Sequence, residues 1–207
     1  MSTKDALVVS ATRLIDEGGP EHVTLREVGR RSGVSHNAPY KHFADKTALL
    51  EAVALAELRR TATLFSRAGE NPDAAAALRT AGLAWISWSV GHPERFRLVY
   101  GDWPEQAEAI GTQSDDTWAS FAGLVTRAQE AGAVPAGDVD VTVDGIRAVM
   151  QGAVGLALGG HLAATEDPRA GAEHVYTRHL ELLAAQAQVE SAVTGDGERR
   201  SIFGRRR

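Results

Sequence analysis

The 207-residue chain contains no cysteine. That absence excludes a disulfide framework, a thiolate zinc site and a thiol nucleophile, and a reducing cytoplasm is the expected setting. Long apolar runs are scarce as well. The most apolar stretch, residues 148–163, is short for a membrane span and is interrupted by Gln151 and His161. The N-terminal MSTKDALVVSATRL has polar residues in each helical turn and no apolar core ending in a cleavage site, so no signal peptide and no membrane partner are read. Strand signals, a Gly-x-Ser-x-Gly elbow, a phosphate loop and a zinc-protease helix are also missing. No catalytic residue, metal site or cofactor is expected. Apolar residues at 43% and charged residues at 24% describe an ordinary globular composition with enough chain for a real core.

Charge is unevenly spread. The net charge is −5, yet residues 24–46 hold five Lys/Arg (Arg26, Arg30, Arg31, Lys41, Lys46) against two acids, Glu27 and Asp45. Residues 61–197 hold eight bases against eighteen acids, and the last ten residues hold five arginines against one acid. A basic head on an acidic body implies that only the head meets a polyanion. The arginine tail reads as a solvated segment.

Helical punctuation recurs throughout. Leu7, Ala11, Leu14 and Ile15 form a stripe ended by Gly18-Gly19-Pro20. Thr24-Leu-Arg-Glu27 has the spacing of a capping box, flanked by Val23 and Val28 as a hydrophobic staple. Ser32-Gly33 stops that helix, Ser35 is placed to cap a second running to about His42, and Asp45 a third running to about Arg67. Further on, Asn71-Pro72 opens a helix closed by Gly91, and His92-Pro93 opens a short one closed by Gly101. Residues 104–131 read as one helix, or as two meeting at Gly111-Thr112. Residues 138–164 and 168–188 complete the set, and a disordered tail is expected from Ser191. The fold class is all-α: a three-helix head over residues 1–50, a helical ligand-binding and dimerisation bundle over residues 51–190, and the tail 191–207.

The informative segment is TLREVGRRSGVSHNAPYKHFADKTALL, residues 24–50. Two short helices joined by a turn containing Gly33 make a helix-turn-helix, whose second helix enters the DNA major groove. Thr24, Ser35, Tyr40, His42 and Lys46 carry donors for phosphate oxygens. His36, Asn37 and Lys41 are candidates for base edges, lysine suiting guanine and asparagine suiting adenine. Phe43 is expected in the core; Tyr40 is also open to a core reading. Gly33-Val34-Ser35, Tyr40-Lys41-His42-Phe43, Asp45-Lys46 and Leu49-Leu50 resemble the DNA-binding signature of the TetR family of repressors. The resemblance covers roughly residues 5–55 and implies that Tyr40 and Lys46 clamp the DNA backbone. Pro39 departs from the leucine commonest at its position.

The body carries all four tryptophans. Trp85, Trp88, Phe96, Tyr100, Trp103, Trp118, Phe121 and Met150 are candidates to line a pocket for a small molecule, or to form plain helical core. The His-Pro…Phe-Arg…Tyr segment resembles a TetR subgroup that also carries a Trp-x-x-x-His-Gly motif, where this chain has Arg147 and Gln151 in place of the tryptophan and histidine and keeps the glycine as Gly152. Ile146, Met150, Val154, Leu158, Tyr176, His179 and Leu183 are the candidate homodimer interface, on two helices rich in small residues. His174 and His179, five apart, share no helical face and make no metal pair. Asp138 to Gly145 has its glycine misplaced for a calcium loop.

Together these features point to a homodimeric, cytoplasmic repressor that binds double-stranded DNA at a palindromic operator and is released by a small-molecule effector. The alternatives are a ligand-independent or activating DNA-binding protein and a helical enzyme.

Overall fold

The computed structural model describes residues 2–35, 37–101, 108–162 and 167–203, with side chains described to residue 193. All regular structure among these residues is helical: α1 (Thr3–Gly18), α2 (Leu25–Arg31), α3 (Ala38–His42), α4 (Lys46–Ala68), α5 (Ala74–Gly91), α6 (Pro93–Tyr100), α7 (Glu108–Glu130), α8 (Val139–Leu158) and α9 (Pro168–Phe203), with one 3₁₀ turn at Pro20–His22.

Contacts divide the chain into two compact units, residues 1–63 with 88–117, and residues 64–87 with 118–207. The division passes within α4, α5 and α7, so each of these helices contributes to both units. In the first unit Leu7, Ala11, Leu14 and Ile15 of α1 meet Val23, Val28, Phe43, Leu49, Val53 and Leu58 in one core. The staple residues Val23 and Val28 are both fully buried, as their spacing requires.

Several helix starts differ from the sequence expectation. The Thr24 hydroxyl accepts the Glu27 N–H at 3.1 Å, but the Glu27 carboxylate turns to Arg30 and Arg31 instead of reaching back, so only half the capping box forms. A complete box closes at Ser2 and Asp5 instead. α3 starts at Ala38 after Asn37, so Ser35 is not its N-cap; the Ser35 carbonyl accepts the Ala38 N–H at 2.9 Å. Asp45 does cap α4, accepting the Ala48 N–H at 2.8 Å. The start of α5 belongs to Asp73, which accepts from Ala76, while Asn71 closes a turn onto Asp73. α7 passes through Gly111 unbroken.

In the second unit the aromatic residues form a closed group. Phe65 of α4 lies 5.8 Å from Trp118 and 5.0 Å from Phe121 of α7, and Trp85 of α5 meets Trp118 edge-on at 6.1 Å. α9 is pinned to α5 by Tyr176, whose hydroxyl donates to the Leu78 carbonyl at 2.8 Å. Its ring lies so close to Gly82 that a Cβ there would fall 2.2 Å from it. Burial pushes the Tyr176 phenol well above its ordinary pKa.

α8 ends at Leu158, short of the expected residue 164, with Gly160 in a positive-φ turn. Among the described residues α8 is the one helix apolar and long enough to cross a membrane by composition. Its Val143, Ile146, Met150, Ala153, Val154 and Ala157 are packed inside the chain. The backbone of α9 continues helically to Phe203, past the expected end near residue 188.

Candidate nucleic-acid interface

The helix-turn-helix is built as its sequence dictates. Gly33 has φ of +67° at the turn after α2, a conformation that side chains resist. Val28 is buried and Val34 packs partly against the same core, which fixes α2 and the turn to one body. Phe43 is 4% exposed, whereas Tyr40, three residues earlier, is 53% exposed. One side of this short segment is therefore core and the other faces solvent, and the core reading of Tyr40 is overturned.

The remaining sequence candidates fall on that outer side. Thr24, Ser35, Asn37, Lys41 and His42 are all exposed, and Lys46 is half-buried at the first turn of α4. Its ammonium sits 3.7 Å from the Glu21 carboxylate, itself almost fully exposed. A solvated pair of this kind contributes only about 0–1 kcal/mol, so the lysine is readily recruited elsewhere. His36 lies outside the described residues.

Pro39, the departure in the motif, is buried. Its ring occupies the space a side chain at position 29 would fill, since a Cβ on Gly29 would lie 2.8 Å from Pro39 Cγ. The small residue on α2 and the ring on α3 therefore pack α3 closely onto α2. This non-local pairing leaves no local sequence signal.

Arg26 and Arg30 join the site without a motif to mark them. Both are exposed on α2, where they line a groove of about 520 Å³ with Thr24, Glu27 and Val34. The charge count over residues 24–46 is the sequence signal that holds them. Arg30 is held by Glu27 at 2.6 Å, and Arg30 and Arg31 together depress the Glu27 carboxyl to about 2. Arg31 also bridges to Glu17 of α1 at 2.6 Å and so ties α2 to α1.

The expected pocket-lining residues separate. Trp85, Trp118 and Phe121 join the aromatic group of the second unit, and Met150 is fully buried there. Trp88 stacks on His92, and Phe96 lies 5.4 Å from Tyr100, in the first unit. Trp103 lies outside the described residues.

The expected interface residues need correction. Ile146, Met150, Val154 and Tyr176 are 0% exposed within the single chain, so they serve its own core and offer nothing to a partner. Leu158, His179 and Leu183 are half-buried. Among the described residues of α8 and α9, the exposed large apolar side chains are Val141 and Leu156 on α8 and Leu182, Val189 and Val193 on α9.

The model for bacterial regulatory proteins of the tetR family matches residues 7–53, and one for a tetracyclin repressor-like C-terminal domain matches residues 78–179. Among solved structures, a protein of unknown function from Rhodococcus sp. RHA1 is 28% identical, covering 90% of this chain and 95% of that one at a TM-score of 0.77. The TetR family transcriptional regulator PfmR from Thermus thermophilus is 20% identical over 89% and 96% of the two chains, with a TM-score of 0.63. The regulator FadR from Bacillus subtilis, in complex with stearoyl-CoA, is 17% identical over 87% and 97%, with a TM-score of 0.69. These last two likenesses are of fold. No curated protein matches the chain.

Proposed function

The chain belongs to the TetR family of bacterial regulatory proteins and is a DNA-binding transcriptional regulator, and we propose that it is a homodimeric repressor of a palindromic operator, released by a small-molecule effector. The observation that carries the DNA-reading half is the sidedness of residues 24–46. Phe43, Val28 and Pro39 are buried while Thr24, Ser35, Asn37, Tyr40, Lys41 and His42 are exposed. In this reading Thr24, Ser35, Tyr40, His42 and Lys46 hold phosphates and fix the register. His36, Asn37 and Lys41 read base edges, and Arg26 and Arg30 add charge along α2.

A head whose α3 has five residues covers one major groove only. Two heads about 34–36 Å apart read successive grooves on one side of the duplex, which makes the operator a palindrome. The uncovered apolar side chains on α8 and α9 support a second copy as the partner. Release requires an effector that binds the released conformation better than the DNA-bound one. α4 carries residues of both units and is the covalent path for that coupling. The setting for all of this is the cytoplasm.

Selection of binding sites from a random duplex library with the full chain tests the reading. A palindromic consensus is the expected result. No enrichment at low salt would overturn the operator, and an asymmetric single half-site would overturn the dimer.

A further inference from the structure

Residues 16–21 hold three acids, Asp16, Glu17 and Glu21, and each is paired with a base on a different helix. Asp16 and Glu17 lie in the last turn of α1, and Glu21 in the 3₁₀ turn that follows. Asp16 holds Arg95 of α6, Glu17 holds Arg31 of α2, and Glu21 holds Lys46 of α4. All these residues belong to the first unit. The pairs differ in burial. Glu21 is almost fully exposed and Glu17 half exposed, whereas the Arg95 side chain is 12% exposed and lies between Asp16 and Glu57 of α4. Its guanidinium forks onto Asp16, with Nε donating to Oδ1 at 2.6 Å and Nη2 donating to Oδ2, while Nη1 donates to Glu57 Oε1 at 3.1 Å. Glu57 Oε2 has no hydrogen-bond partner among the described residues, so the firmer hold is on α1. A second α6 residue reaches the same place: a Cβ on Gly19 would lie 3.0 Å from a carboxylate oxygen of Glu94.

A forked, charge-assisted pair fixes direction as well as distance. An exposed ion pair is weak and adjusts to whatever moves it. A guanidinium shielded from solvent, with two prongs taken by one carboxylate, does not adjust. The end of α1 is therefore set by α6, and the turn after it follows. That turn carries Glu21 and leads through the buried Val23 into Thr24, the N-cap of α2. Thr24 takes its place from this segment directly, and the Lys46 ammonium through Glu21. Both are phosphate donors in the reading above. Arg95 itself lies outside the matched head, residues 7–53.

We propose that Arg95 is a positioning residue for DNA binding. Its fork on Asp16 holds the end of α1, and through the turn at Pro20–His22 it sets Thr24 and Lys46 for the DNA backbone. The proposal rests on the phosphate-binding reading of those two residues and names what controls their placement. α6 thereby acts on the head by way of α1, a route separate from the covalent one along α4.

Affinities of full-length variants for the selected duplex, measured over a range of salt concentrations, test this. Each protein is assayed well below its own thermal midpoint, so that lost stability alone leaves the salt slope unmoved. Asp16→Asn keeps the shape of a partly exposed side chain and so preserves the fold. It weakens binding about tenfold and lowers the magnitude of the salt slope by about one, because Lys46 is no longer presented to its phosphate. Removing an acid would by charge alone strengthen binding to a polyanion, so a loss identifies geometry as the cause. Arg95→Gln does the same, and the double variant Asp16→Asn/Arg95→Gln is no worse than either single one. Arg95→Lys, which keeps one charged bond to Asp16, recovers part of the affinity. Glu57→Gln leaves the fork on Asp16 in place and keeps the wild-type slope. An unchanged slope in Asp16→Asn overturns the proposal. So does a loss in Glu57→Gln as large as that in Asp16→Asn, which would put the route in α4. Lys46→Ala in the same assay separates the two claims. A slope lowered in Lys46→Ala but not in Asp16→Asn sinks the positioning and leaves the phosphate reading standing. A slope lowered in Asp16→Asn but not in Lys46→Ala does the reverse.

Discussion

Lys41 and Lys46 are five residues apart and differ in what they can report. Lys46 is half-buried at the start of α4, with an ammonium 3.7 Å from a solvated carboxylate, and a phosphate competes well with such a partner. Lys46→Ala weakens binding to every duplex alike and lowers the magnitude of the salt slope by about one, read from affinities over a range of salt concentrations. Lys41 is exposed on α3, and Lys41→Ala relaxes preference at one or two base positions, read by repeating the site selection. An unchanged salt slope in the first variant removes Lys46 from the phosphate contacts.

His179 allows a second residue-scale test. Burial lowers its pKa from the ordinary 6.5, so the folded chain resists its protonation. Below pH 6.5 the unfolded state binds the proton first, and stability present at pH 7 is lost as the pH falls toward the folded value. Thermal midpoints of the wild type therefore fall more between about pH 7.5 and 5.5 than those of His179→Gln. Equal falls in the two proteins place the acid sensitivity elsewhere.

At the scale of elements, close approaches set the packing. Tyr176 of α9 lies on Gly82 of α5, and Gly82→Ala forces that ring to move. Overpacking of this kind costs about 1–3 kcal/mol, and chemical denaturation reads it as a lower midpoint. Tyr176→Phe removes only the hydroxyl bond to the Leu78 carbonyl and costs about 1 kcal/mol. A larger loss in the hydroxyl deletion than in the glycine variant would show that the bond, not the fit, holds α9.

The same scale explains what the sequence makes legible. Asp45, Gly33 and the Val23–Val28 staple are local signals, and each helix boundary they imply is present. Periodicity separates Tyr40 from Phe43 less well, because α3 is only five residues long and Phe43 lies just beyond it. Ser35 is a good capping type, yet α3 starts after Asn37 with no side-chain cap hydrogen bond, and the Pro39 ring packs on Gly29, a contact absent from any local window. The start of α5 is read from the wrong residue as well, Asn71 and Asp73 both being able to hold a turn. α8 defeats periodicity differently. It is apolar on more than one side, so a stripe of Ile146, Met150 and Val154 is equally apt for a core or for a partner, and the core takes it. Asp16 and Arg95 meet through tertiary packing alone.

For the whole molecule the proposed dimer draws on the uncovered face of α8. Val141 is 70% exposed and Leu156 46% exposed, and Cβ atoms added at Gly145, Gly152 or Gly155 would meet nothing within 4 Å in the single chain. A helix backbone is thus open along one side, flanked by apolar side chains, and a second copy can approach it closely. The proposed dimer places this face, not Ile146, Met150 and Val154, against its partner. Leu156→Glu puts a charge into that contact while leaving the core side of α8 untouched. Sedimentation of the variant should then give a 22.0 kDa species where the wild type gives twice that mass. Operator binding should become shallower and depend on single half-sites, since each head must now bind without the other. Retained dimers with Leu156→Glu move the interface off α8. A monomeric wild type with palindrome-specific binding would mean that the DNA itself brings the two heads together.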